Sequence, residues 1–415
     1  MIPFSADLAN LNADPVMQHH RVPTDAGLSL HGFRAYADSG MVDRASIQGV
    51  LRRGIFRWSL FIGCLLSLSG IGCRDQSMVD PRLRSGKRGG YVAVVAAGPH
   101  DPLSPMIQAA VKRSQTINPW VEVRFFNPES QRVQAQIDLL RGQIENPEFR
   151  GLCIHPMDAS ALAPTLEELR TRGITIVTMV EPVSTDHVGT GRFMYVGFDD
   201  AEIGNQLAQA TIDYLGEKGG SIMVLHAGEL NPRYEQRYRA FNKALQHHRT
   251  VEIFAELDCK ADAAEARRLI RDRNQRYPRL SAWVSMDDWA LKDLEKDAGE
   301  AAHADAVAAV AKELFGQEWE RGQGQEHGQG PRYITFGGLP RQWELVRQGF
   351  LQRLVAADYG SITERAITAC IDCLRDPTQQ QQDFYVPLRI ISPKNLDAYI
   401  HDWSTWSELP TTSKP

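Results

Sequence analysis

From Tyr91 onward the chain alternates short, continuously apolar runs with longer segments whose apolar residues recur every three or four positions. The run Tyr91-Val92-Ala93-Val94-Val95-Ala96 is rich in β-branched residues and apolar on both faces. That is the pattern of a strand covered on both sides of a sheet. A helix is predicted over 105–117, with Met106, Ile107, Ala110 and Val111 on one side. Strands are predicted over 121–126, 151–155, 174–180 and 194–197, with helices over 133–144 and 161–172 between them. The order then restarts, with helices over 201–215, 233–248, 263–273, 290–296, 342–348 and 362–374. Strands over 221–226, 251–257, 282–286, 332–336, 351–356 and 384–391 alternate with them. This repetition predicts an α/β fold of two doubly wound parallel-sheet lobes.

Two stretches interrupt the pattern. Residues 301–315 form an Ala-rich predicted helix, and 316–330 is a Gly/Gln-rich surface loop; a second Gln run, 379–382, follows Pro377. Solvated insertions account for both loops, because surface loops accept added residues.

Residues 1–89 read differently. Arg52, Arg53 and Arg57 precede an apolar stretch over 58–72 that ends at Gly70-Ile71-Gly72-Cys73 and is followed at once by polar residues. A positive region, a short apolar core and small residues before a cut site describe an export signal. The end of the segment resembles a bacterial lipoprotein signal, which implies lipidation at Cys73, although Gly70 stands where Leu is usual. An uncleaved anchor helix is the alternative, against which stands a run shorter than the ~20 residues a span needs. Either reading puts the bulk of the chain on the periplasmic face of a membrane. Residues 1–50 have no clear period and are expected to be unstructured; we place the true start at Met41, so that 1–40 precede it. Residues 74–89 are expected to be a polar tether.

Charge and composition narrow the function. A net charge of -5 lacks the basic excess of a nucleic-acid binder. Six scattered cysteines do not make a disulfide scaffold. Cys370 and Cys373 fall on one helix face and are expected to be packed thiols. Nucleophile-elbow, zinc-protease and Walker motifs are absent from the sequence, and Ala97-Gly98-Pro99-His100 after the first strand is not a dinucleotide fingerprint.

Several strand ends resemble the type I solute-binding proteins of the sugar-binding branch, the family of the ribose receptors and the ligand domains of LacI-type repressors. They are Gly151-Leu152-Cys153-Ile154-His155-Pro156-Met157-Asp158, Gly173-Ile174-Thr175-Ile176-Val177-Thr178, and Tyr195-Val196-Gly197-Phe198-Asp199-Asp200 with Gly204. Arg237 with Phe241, the stretch Tyr277-Pro278 through Leu291, and residues 334–340 continue the likeness to about Ile400. The resemblance implies a three-segment hinge near Phe198, 356–358 and 382–384. The N-terminal lobe would then comprise 90–198 plus 358–383, the C-terminal lobe 199–357 plus 384–400, and the tail 401–415. It implies an extracytoplasmic solute-binding receptor of an ABC-type importer, a monomer without catalysis, cofactor, metal or nucleic acid, that holds a small sugar-like or polar solute between the lobes. A sensory lipoprotein signalling to a membrane kinase is the other reading of the same fold.

The family's ligand-holding positions fit a sugar poorly here. Its two stacking rings fall in Pro102-Leu103-Ser104-Pro105, its Asp-Arg pair on Val180-Glu181, an Arg on Glu235, an Asn on Met286, an Asp on Gly337 and a Gln on Ala357. Asp158, Asp287 and Arg237 remain. The candidate ligand-binding set is therefore Asp158, Glu181, Arg233, Glu235, Arg237, Met286, Asp287, Gly337, Asp358 and Tyr359. Two cations replaced by carboxylates point to an acidic cleft suited to a cationic or amine ligand, with Tyr234, Trp289 and Tyr359 as rings for it and Arg233 able to cancel part of the charge.

Overall fold

The computed structural model describes residues 90–183, 193–228, 231–277, 280–292, 314, 332–378 and 382–408. The export segment with Cys73, the tether, all but Leu314 of the helix expected over 301–315 and the Gly/Gln-rich loop lie outside the described residues.

The first lobe is built from β1 (Tyr91–Val95), α1 (Ser104–Ile117), β2 (Glu122–Phe126), α2 (Val133–Ile144), β3 (Phe149–Ile154), α3 (Ala159–Thr171), β4 (Thr175–Met179) and β5 (Met194–Gly197). These strands run parallel in the order β2-β1-β3-β4-β5. Every residue of β1 is buried, because helices cover both faces of the sheet; this is why its sequence is continuously apolar. The second lobe follows with α4 (Asp200–Leu215), β6 (Gly220–His226), α5 (Pro232–Leu245), β7 (Val251–Asp258), α6 (Ala263–Arg276), β8 (Ala282–Ser285), β9 (Arg332–Gly337), α7 (Pro340–Arg347) and β10 (Leu351–Ala357). Its parallel strands take the same order, β7-β6-β8-β9-β10. In each sheet the order reverses beside the first strand, β1/β3 and β6/β8, and the loops at the carboxyl ends of those strands form a crevice there.

The helix α8 (Tyr359–Arg375) returns to the first lobe and packs on α1, β3 and β4. Its Cys370 and Cys373 are buried free thiols. Cys370 lies against Gly151 of β3, where a Cβ would come within 2.6 Å of the sulfur. Among the described residues no helix is long and apolar enough to cross a membrane.

Three expectations change. The run 384–391 is two strands: β11 (Phe384–Tyr385) pairs parallel with β5 in the first sheet, and β12 (Leu388–Ile391) pairs antiparallel with β10 in the second. The last crossing is therefore at Val386–Pro387 rather than 382–384, and Pro387, lacking an N–H, interrupts the ladder there. The helix expected over 290–296 is, as far as it is described, one 3₁₀ turn at Trp289–Leu291. The expected tail begins inside a helix, α9 (Leu396–Ser407), which buries Leu396, Tyr399 and Trp403.

The helices α4 and α5 pack backbone to backbone through Gly204, where a Cβ would lie 2.1 Å from the Arg237 carbonyl oxygen and 2.9 Å from the Phe241 nitrogen. Gly204→Ala is expected to lower stability in a urea titration by about 1–3 kcal/mol, the cost of overpacking. Gly142→Ala in α2, with nothing within 4 Å of the added carbon, should instead be neutral or stabilise by up to about 1 kcal/mol.

Candidate functional site

The crossover from β5 delivers two adjacent carboxylates to the start of α4. Asp199 caps the helix, its Oδ1 accepting from the Ala201 N–H at 2.8 Å, which leaves Asp200 free in the first turn. On α5, Arg233 and Arg237 stand one turn apart and so share a face. Both reach Asp200. Arg233 Nε donates to Oδ2 at 2.6 Å and its Nη2 to Oδ1 at 3.3 Å; Arg237 Nε donates to Oδ1 at 2.6 Å. Arg237 is only 2% exposed. It also donates to the Met286 carbonyl at 3.0 Å and stands 3.8 Å from Asp287 Oδ1. Its guanidinium lies 4.9 Å from the Phe336 ring centre, 5.2 Å from that of Tyr234 and 5.9 Å from that of Phe198.

Arg233 reaches in the other direction as well, donating to Glu181 beyond β4 of the first lobe, so one guanidinium joins the two lobes across the crevice. Behind it, Asp287 accepts from Lys292 at 3.3 Å and from the Tyr234 hydroxyl at 3.4 Å. Asp288, nearly buried, accepts from Gln342 Nε2 at 2.9 Å and from Arg341. The carboxylates Glu181, Asp200, Asp287 and Asp288 are thus matched by Arg233, Arg237, Lys292 and Arg341. Burial would lower the pKa of Arg233 and Lys292, but the facing carboxylates outweigh it and raise both, so the cations stay charged.

The expected acidic cleft is not found. Glu181 is neutralised by Arg233, and Glu235 turns to Arg239 on its own helix at 2.5 Å. The Tyr234 ring expected to meet a cationic ligand holds the protein's own Arg237, with Trp289 packed edge-on against it at 5.0 Å. Other members of the expected set have structural roles. Asp158 caps α3 and Asp358 caps α8, each accepting from a backbone N–H. The Met286 side chain belongs to the core, and only its carbonyl faces the cluster. At Gly337 a Cβ would strike the Gln342 amide, and its carbonyl accepts from the buried Tyr359 hydroxyl at 3.1 Å. The structure therefore brings together Glu181, Arg233, Arg237, Asp287 and the Met286 carbonyl, while Asp158, Glu235 and Asp358 have other partners.

Asp200, Lys292 and Asp288 were not among the expected residues. The signal for Asp200 was present: two arginines four apart on one helix face need a shared anion. A second missed pair lies on the first-lobe side. His155, at the end of β3, places Nδ1 2.8 Å from Asp101 Oδ2, and Asp101 accepts the N–H groups of Ala97 and Leu103, each at 2.9 Å. Burial alone would raise the Asp101 pKa; the charge and hydrogen bond of His155 and the two backbone N–H groups lower it. For His155 burial works downward, and the charge and hydrogen bond of Asp101, helped by Glu181, raise it.

Removing the buried anion should matter more than removing an expected but cap-bound carboxylate. Asp200→Ala leaves Arg237 buried with its principal counter-ion gone and is expected to cost about 3–5 kcal/mol in denaturant unfolding, whereas Asp158→Ala, losing one helix cap, should cost about 1 kcal/mol. The His155–Asp101 pair also sets a pH window. The lowered Asp101 contributes stability above its ordinary value of 3.8, lost as pH falls through its folded pKa; the raised His155 contributes stability below 6.5, lost as pH rises through its folded pKa. Thermal midpoints measured across pH should therefore fall on the alkaline side above 6.5, and His155→Gln should flatten that limb.

The D-allose-binding periplasmic protein of Escherichia coli (strain K12) is 22% identical over 167 residues, 40% of this chain, and the match spans about half (53%) of that relative. Among solved structures, a periplasmic ribose ABC transporter protein from Conexibacter woesei superposes with a TM-score of 0.60 at 19% identity, covering 78% of this chain and 98% of that one. An ABC transporter solute-binding protein from Actinobacillus succinogenes with bound D-allose gives 0.56 at 16% identity, covering 75% and 100%. The Caulobacter myo-inositol-binding protein gives 0.54 at 14%, covering 76% and 97%. At such identities these structures establish the fold. The model of the periplasmic binding protein domain matches residues 92–376, well over half of the chain. The chain belongs to the periplasmic binding protein domain family.

Proposed function

We propose that this chain is an extracytoplasmic solute-binding receptor that holds a small, uncharged, sugar-like solute between its lobes and presents it to an ABC-type permease. The observation that carries the ligand class is the charge balance of the crevice: four carboxylates face four cations, each already paired. A cationic or anionic ligand would have to break one of these pairs and leave a partner unmatched. A polyol can hydrogen-bond to the rims of such pairs without separating them. Relatives that bind D-allose and myo-inositol support the same class. The fold acts by binding, and nothing in the cluster needs to react. Export and a lipid anchor at Cys73 complete the reading and rest on the sequence of residues 52–73.

A thermal-shift series on the full chain tests it with D-allose, D-ribose, L-arabinose and myo-inositol set against the amines putrescine and ethanolamine. A ligand present at one hundred times its Kd should stabilise by about 2.7 kcal/mol. Stabilisation by at least one sugar or polyol and by neither amine is expected. Stabilisation by an amine alone would overturn the uncharged-ligand reading, and no response to any sugar or polyol would overturn the sugar reading.

A further inference from the structure

The helix α9 lies beyond the matched family segment, which ends at residue 376, and it is fastened to both lobes. On the second-lobe side, the Tyr399 hydroxyl donates to the carbonyls of Gly338 at 3.0 Å and Ala357 at 3.3 Å. Trp403 meets Trp343 of α7 edge-on, ring centres 5.5 Å apart. Arg347 of α7 and Arg389 of β12 reach Asp397 and Asp402 at 3.1 and 2.6 Å.

On the first-lobe side, the Trp406 ring packs directly on Gly360 of α8, where a Cβ would come within 2.1 Å of it. Arg113 of α1 stands 5.4 Å from the centre of the same ring and donates to the carbonyls of Trp406 at 3.2 Å and Glu408 at 3.4 Å, while pairing with Glu364 of α8. Between these two sets of contacts runs one of the lobe crossings: Ala357, Asp358 and Tyr359 line the same small crevice as Tyr399, Asp402 and Trp403.

We infer that α9 is an interlobe strap, a helix pinned at one end to the second lobe and at the other to the first, that holds the lobes at a set angle and limits their opening. Rotation about the crossings would slide Trp403 off Trp343 while Trp406 stays seated on Gly360. Both Tyr399 and Trp403 are under 10% exposed, so that sliding exposes aromatic surface to water, which opposes it. A helix packed on one lobe alone would impose no such restraint.

Double electron–electron resonance on the full chain tests it. Spin labels go on Ser160→Cys in α3 and Gln236→Cys in α5, both exposed, with Cys64→Ser and Cys73→Ser to leave only buried native thiols among the described residues. The parent should give one narrow distance distribution. Trp403→Ala should broaden it and add a population several ångströms longer, and Trp343→Ala, which removes only the second-lobe contact of the ring, should do the same to a smaller degree. Far-UV circular dichroism reports whether each variant is folded. Parent-like distributions in both folded variants would overturn the strap; if Trp403→Ala fails to fold, Trp343→Ala decides alone, a broadened distribution supporting the strap and a parent-like one overturning it.

Discussion

The structure turns on one carboxylate. Asp200 enters immediately after the chain first leaves the N-terminal sheet, and it is shared by two arginines from the neighbouring helix. Burying Arg237 with so little exposure is tolerable only because that anion, the Met286 carbonyl and three aromatic rings surround it. The requirement propagates outward. The α4–α5 pair must approach closely enough for the arginines to reach, which demands a glycine at 204. The end of β8 must then turn so that a carbonyl faces Arg237. Arg233, held from behind by Asp200, is left aimed at Glu181 of the other lobe.

This arrangement changes what the crevice can offer a ligand. The Tyr234 ring and the carboxylates Glu181 and Glu235, which by residue type would suit a cation, are engaged with arginines of the protein itself. What remains is a polar surface whose carboxylates Glu181, Asp200, Asp287 and Asp288 are each paired with a cation. The lobes are also joined on two sides: by Glu181 and Arg233 at the mouth, and by α9 beside the crossings.

Much of the fold was legible in the chain itself. The continuous apolar runs at β1 and β6 announced strands buried on both faces, and the helices over α2 and α4 showed their periods plainly. The split of the last predicted strand was harder, because Phe384 to Ile391 is apolar enough to read as one run; Pro387 was the only mark of the break. The helix α9 carried a helical period in Leu396, Tyr399, Ile400, Trp403 and Trp406, but its proximity to the chain end made it read as a tail. At the site, the correct residues were partly in view. Arg233, Arg237, Asp287 and Glu181 converge, whereas Asp158 and Asp358 were read for their charge when their positions ahead of helices made them caps.

The sequence by itself determined most of the elements, their repeated order and the doubly wound topology, because each of these depends on local periodicity and on neighbours close in the chain. Only the tertiary structure decided the charge of the crevice. Residue types count carboxylates and arginines, but neutralisation depends on which of them meet: Arg233 with Glu181 from another lobe, and Asp288 with Arg341, 53 positions away. Such pairings are set by how helices and strand ends pack in space, and it is there that an apparently acidic cleft became a neutral one.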